Sequence, residues 1–73
     1  MPKSTEISKH LKHALHSIDQ QHAPSAAANI EAAMSDNGIL NGRLLAAKYA
    51  IGQYLWSVAR SNIEMAMAEL QQR

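Results

Sequence analysis

The sequence predicts an all-α protein. Two observations support this: the amino-acid composition and the positions of the turn-forming residues. Alanine is the most frequent residue, and leucine, methionine, glutamine, glutamate and lysine, which also favour helices, supply much of the rest. Valine occurs once and phenylalanine not at all, whereas strands are enriched in such residues. Turn-forming residues at 23–25, 36–38 and 41–42 bound three predicted helices, over about residues 4–21, 25–35 and 41–71.

The length limits the chain to a single small helical domain, residues 1–73. A chain of this size buries only about 60% of the surface that its unfolded form exposes. It contains no cysteine, so neither disulfide bonds nor a cysteine-ligated zinc can add stability. We therefore expect association with other chains to support the fold.

The first predicted helix, residues 4–21, is amphipathic, because Ile7, Leu11, Leu15 and Ile18 recur at helical spacing and form one apolar stripe. Pro24 prevents its continuation, since proline is incompatible with a helix interior. The second predicted helix, residues 25–35, carries mostly alanine on its apolar side, which permits close approach of a neighbouring helix. A left-handed glycine at position 38 is predicted to follow it.

The third predicted helix, residues 41–71, has no proline and one interior glycine, so a continuous helix of about 45 Å is expected. At 100° per residue its apolar side chains form two stripes rather than one. The first stripe consists of Leu44, Ala47, Ile51, Tyr54, Leu55, Val58 and Met65. The second stripe consists of Leu45, Tyr49, Gly52, Trp56, Ala59, Ile63, Met67 and Leu70.

The two shorter helices can cover the first stripe but cannot also cover the second. We expect the second stripe to be the interface of a homodimer or small homo-oligomer that completes the helical bundle, because two-fold homodimers are the commonest oligomers. Tyr49 and Trp56 would be the anchors, since aromatic residues are enriched at interface centres. The alternative is that Trp56 belongs to the core of a monomeric three-helix bundle.

The four histidines lie within the first 22 residues, and His10, His13 and His16 follow one another at intervals of three. His10 and His16 lie about 120° apart around a helix, so the three side chains cannot reach one ion and no metal or cofactor site is expected. We define the basic face as Lys9, Lys12, His13 and His16, which lie opposite the apolar stripe. It could contact phosphate or an acidic partner, although a solvated surface is the simpler interpretation.

No catalytic pattern is present, so an enzyme is not expected. There is no nucleophile-elbow or phosphate-loop motif, and Glu64 and Glu69 are five residues apart and do not face one another. No secretory signal or membrane span is expected either, and with the lack of cysteine this predicts a cytoplasmic protein.

The functional prediction is a non-catalytic interaction protein: an adaptor, regulator or inhibitor of a larger protein partner that acts as a homo-oligomer. Met34, Met65 and Met67 fit this interpretation because methionine adapts to irregular partner surfaces, although core packing explains them equally well. The alternative is a dimeric nucleic-acid-binding regulator that uses the basic face. The net charge of +1 argues against a strongly basic nucleic-acid binder.

Overall fold

The computed structural model describes residues 2–36 and 41–71, and these form four helices. They are α1 (Pro2–Asp19), α2 (Ala23–Asp36), α3 (Asn41–Gly52) and α4 (Trp56–Gln71). The predicted all-α class is confirmed, and the first two helices lie within about two residues of their predicted bounds. The left-handed glycine predicted at position 38 falls outside the described residues.

The four helices form a closed antiparallel bundle with principal dimensions of 32 × 17 × 17 Å. Helix α1 packs on α2, α2 on α3, α3 on α4, and α4 returns to α1. Within the described ranges α1 does not pack against α3, so these two helices occupy diagonally opposite corners. Their solvent-facing sides therefore point away from each other.

The bundle core contains isoleucine, leucine and alanine from every helix. Alanine at many of the buried positions lets the helix axes come close together. The core therefore closes within one chain, and the structure does not support the expectation that a second copy is needed to complete the bundle. The buried apolar residues are Ile7, Leu11, Ala14 and Ile18 of α1, Ala26, Ile30 and Ala33 of α2, Leu44, Ala47, Ala50 and Ile51 of α3, and Ala59, Ile63, Ala66 and Leu70 of α4.

The prediction of one continuous helix over 41–71 is wrong, because the chain reverses direction after Gly52. Tyr54 adopts a φ of 60°, in the left-handed region. Its N–H donates to the carbonyl of Ile51 at 3.0 Å, and the N–H of Leu55 donates to that of Ala50 at 2.9 Å. This pair of bonds is the Schellman motif, which ends helices. The sequence did not indicate this motif, because a tyrosine occupies the left-handed position that is usually held by glycine.

This turn exchanges the buried and exposed stripes. Before it the first stripe is buried and the second is exposed, whereas along α4 the second is buried and the first is exposed. The buried members are Leu44, Ala47 and Ile51 of the first stripe and Ala59, Ile63 and Leu70 of the second. The exposed members are Leu45, Tyr49 and Gly52 of the second stripe and Tyr54, Leu55, Val58 and Met65 of the first.

The α1–α2 and α3–α4 hairpins repeat each other at an offset of 33 residues. In the first turn Gln21 has a φ of 56°, and the same two hydrogen bonds link Gln21 to Ile18 and His22 to Ser17, each at 2.9 Å. The chain is thus a duplicated helical hairpin with a shared core pattern. The identical pairs are Leu11 and Leu44, Ala14 and Ala47, Ile18 and Ile51, Gln20 and Gln53, Ala26 and Ala59, Asn29 and Asn62, Ile30 and Ile63, Glu31 and Glu64, Ala33 and Ala66, and Met34 and Met67.

Replacing Tyr54 with glycine should raise the free energy of unfolding by about 0.5 to 1 kcal/mol. A left-handed conformation costs an L-residue about 1 to 2 kcal/mol, and glycine avoids this cost but loses more backbone entropy on folding. Tyr54 is 70% exposed, so its replacement removes little packing. The main loss is the contact with the Trp56 ring, whose centroid lies 6.1 Å from that of the Tyr54 ring. Urea unfolding followed by circular dichroism measures the change. Tyr54→Val is the control and should be destabilising, and a Tyr54→Gly variant less stable than wild type would contradict the assigned turn.

Candidate functional site

The outer surface of α3 is apolar and exposed. We define the α3 face as Gly42, Leu45, Ala46, Tyr49 and Gly52, all of which are exposed. Leu45 is 57% and Tyr49 72% accessible to solvent. Exposed apolar surface that includes a large aromatic side chain is typical of a site of contact with another protein.

A shallow depression of about 450 Å³ lies on this surface, lined by Leu45, Lys48, Tyr49, Gly52 and Gln53. It is open to solvent, and most of its wall is the side of one helix. An enclosed pocket, which would bury most of a small ligand, is the usual form of a substrate site. This open depression instead suits a side chain that protrudes from another protein.

The cations beside the α3 face are neutralised within the chain. Lys48 is ion-paired with Glu31 of α2, and Arg43 is ion-paired with Glu69 of α4. The Arg43 guanidinium also lies 3.5 Å from the sulfur of Met65. The surface presented by α3 is therefore apolar at its centre and close to neutral at both edges.

The equivalent surface of α1 is polar and charged. The residues 33 positions before the α3 face are Lys9, Lys12, His13, His16 and Asp19, and each is exposed. Since the two hairpins share a core pattern, the fold accepts polar side chains at these positions. Packing within the described chain therefore does not account for the apolar character of the α3 face.

The structure places the four residues of the basic face together on the exposed side of α1. Among the described side chains, Lys9 and Lys12 make no ion pair. The Gln20 amide lies 3.0 Å from Nε2 of His16, and Asp19 at the end of the helix is ion-paired with Arg60 of α4. Because α1 and α3 are diagonal in the bundle, the basic face and the α3 face point in opposite directions.

His10 is half-buried, whereas His13 and His16 are exposed. Within the described residues, no three histidine or acidic side chains are close enough together to hold a metal ion. His22 has a contact that the sequence analysis did not anticipate: its Nδ1 accepts a hydrogen bond from the N–H of Ser25 at 3.3 Å. It thereby caps the start of α2.

The structure divides the eight residues of the predicted oligomer interface. Leu45, Tyr49 and Gly52 are exposed on α3. The other five do not share that surface, because the turn after α3 directs them towards the core. Association of the chain through this stripe stays a prediction. Ala59, Ile63 and Leu70 lie in the core, and Trp56 and Met67 are partly buried against it.

Four apolar residues of the first stripe, which the two shorter helices are predicted to cover, are exposed. Tyr54, Leu55, Val58 and Met65 are 70%, 49%, 48% and 40% exposed. The 33-residue repeat is the signal that would have found Val58 and Met65. Those two residues occupy the positions of Ser25 and Ala32 in the first hairpin, outside the shared core pattern.

The chain matches no known family model, no curated protein and no solved structure. In the described ranges, no helix combines the length and the apolar character needed to cross a membrane.

Proposed function

We propose that the protein is a small, non-catalytic helical interaction protein of the cytoplasm. It serves as an adaptor, regulator or inhibitor of a larger protein partner and acts as a homodimer or small homo-oligomer. One observation carries this proposal: the α3 face is apolar and exposed, although the duplicated hairpin has charged and polar residues at the same positions.

The physical advantage of a partner on this face is the removal of apolar surface from water. Full burial of a leucine side chain is worth about 1.5 to 3 kcal/mol, and tyrosine is over-represented among the residues that dominate binding energy. Leu45 and Tyr49 are four residues apart and therefore adjacent on the helix surface. Together they supply a compact anchor for the apolar side of a partner.

The chemistry of the buried hydroxyl supports a non-catalytic role. The Ser17 Oγ donates to the carbonyl of His13 at 3.1 Å and lies 2.9 Å from the Oγ of Ser25. These contacts join α1 to α2. A catalytic serine needs a neighbouring base within hydrogen-bond distance, and Ser17 is engaged in structural bonds instead.

The basic face favours a second candidate, a dimeric nucleic-acid-binding regulator. Lys9 and Lys12 are exposed and, among the described side chains, make no ion pair, so both are available to phosphate. The net charge of +1 weakens this candidate, because nucleic-acid-binding domains usually carry a large excess of positive charge.

Affinity capture from the source cell with two matched variants separates the candidates. Leu45→Lys with Tyr49→His gives the α3 face the residues found at the equivalent positions of α1, Lys12 and His16. Lys9→Glu with Lys12→Glu reverses the charge of the basic face. We expect the first variant to reduce recovery of the partner protein at least tenfold, because it removes both anchors, and the second to leave recovery unchanged.

Two outcomes would contradict the main proposal. Loss of capture in the basic-face variant alone, with release of bound nucleic acid by moderate salt, would favour the nucleic-acid regulator. Equal recovery with both variants would place the functional surface elsewhere on the bundle. Circular dichroism of each variant checks that the fold is intact.

A further inference from the structure

We propose that the α3 face is self-complementary and binds the α3 face of a second copy, with the two α3 helices antiparallel. This inference rests on the proposed function, because it identifies the surface and the geometry of self-association. The second copy and the larger partner use the same Leu45 and Tyr49 anchors, so the partner binds by displacing the second copy from the α3 face. The pattern of residues on α3, its glycines and its charge each support it.

Four of the five residues of the α3 face, all except Ala46, are arranged symmetrically about position 47. Leu45 and Tyr49 lie two positions on either side of this point, and Gly42 and Gly52 lie five positions on either side. A two-fold axis at this level, perpendicular to the helix, brings Leu45 of one copy opposite Tyr49 of the other. It likewise brings Gly42 opposite Gly52, because helical angle and rise are both proportional to residue number. The face is thus bulky at its centre and small at both ends.

The two glycines are not required by the fold of a single chain. A Cβ atom added to Gly42 or Gly52 would meet nothing within 4 Å, and neither glycine has a positive φ. Glycine is a poor helix former, so its presence at two exposed helical positions weakens α3. The proposed pairing accounts for this, because glycine leaves space on either side of Leu45 and Tyr49 for the larger side chains of the opposing helix.

Charge also favours a second copy as the occupant. A two-fold interface places each patch against an identical patch, so an uncompensated charge near the axis would face its own copy. The α3 face has no charge of its own, and the cations at its edges are paired with Glu31 and Glu69. The basic face would repel itself in the same arrangement. Pairing through α3 leaves the two basic faces on the far sides of the dimer.

The available area predicts a weak dimer. Stable interfaces bury about 800 Å² on each partner, which is close to a fifth of the 4428 Å² surface of the described chain. Helix α3 has 12 residues and is about 18 Å long, so its outer face supplies only part of that area. We expect a dissociation constant on the order of tens of micromolar.

Sedimentation equilibrium from about 10 µM to 1 mM tests the association. The mass should rise from 8.0 kDa toward twice that value. Leu45→Lys with Tyr49→His should weaken association at least tenfold. Gly42→Ala with Gly52→Ala should weaken it as well, while raising the melting temperature of the dilute monomer, because alanine favours the helix. Val58→Ser is the matched control: it replaces an exposed apolar residue outside the α3 face with its counterpart Ser25 and should leave association unchanged.

Disulfide trapping tests the antiparallel register. The chain has no cysteine, so a Leu45→Cys chain can be mixed with a Tyr49→Cys chain and oxidised with excess oxidised glutathione. Each pair of thiolates forms one S–S bond while the glutathione is reduced. Random pairing of equal amounts of the two chains would give twice as much mixed dimer, linked from position 45 to position 49, as either symmetric dimer, 45–45 or 49–49. The proposed register predicts a clearly larger excess of the mixed dimer. Random proportions would overturn the register.

A mass that stays at 8.0 kDa up to 1 mM, or a dimer unaffected by the α3 substitutions, would overturn the inference. A monomer whose capture of a larger protein still depends on Leu45 and Tyr49 would overturn self-pairing and leave the interaction role intact. A dimer that forms as expected but captures nothing would instead contradict the adaptor or regulator role.

Discussion

Replacing Ile30 with alanine should lower the free energy of unfolding by about 2 to 5 kcal/mol, because the side chain is fully buried and its removal leaves a cavity. A domain of 73 residues has a total stability of only about 4 to 11 kcal/mol, so the substitution would remove a large share of it. Urea unfolding followed by circular dichroism measures the loss. Leu45→Ala, at a 57% exposed position, is the control and should change little.

The repeat provides an internal test of the same prediction. Ile63 is the counterpart of Ile30 and is equally buried, so Ile63→Ala should cost a similar amount. If only one of the two substitutions were destabilising, the hairpins would not share one cooperative core. Small losses from both would contradict the closed four-helix bundle itself.

Replacing Ala59 with leucine should destabilise the bundle by about 1 to 3 kcal/mol, because it overpacks the core rather than leaving a cavity in it. Ala59 is fully buried, so the added atoms must displace a neighbouring helix. Ala68→Leu is the matched control, because Ala68 lies on the same helix and is exposed. The same urea titration compares the two variants. Equal tolerance of both substitutions would show that α4 does not pack closely at Ala59.

Some of the fold followed from local sequence patterns alone. The single stripe of α1 predicted which side of that helix is buried, and the structure confirms it at Ile7, Leu11 and Ile18, with Leu15 half-buried. Pro24 correctly marked the boundary between the first two helices. These predictions hold because an apolar period and a proline act within one helix and need no information about distant parts of the chain.

The predicted oligomer interface was not fully predictable from helical periodicity, because its residues lie on both sides of the turn after α3. Leu45 and Tyr49 are both exposed on α3, but Ile63 of the same stripe lies in the core. The stripe was derived for an unbroken helix, and any rotation or reversal between residues 52 and 56 changes which side of α4 faces inward. The 33-residue repeat would have revealed the reversal, because it aligns Gln53 with Gln20, which lies in the turn between α1 and α2.

The sequence by itself determined that the chain is helical, that α1 has one buried side, and that the segment after residue 41 has more apolar surface than two short helices can cover. Only the tertiary structure decided that this segment folds back on itself and buries half of each stripe. The physical reason is that a left-handed turn at Tyr54 lacks the local signal of glycine, so the packing of α4 into the core must stabilise it. The same turn leaves the α3 face exposed, a property that no stripe drawn on a straight helix could predict.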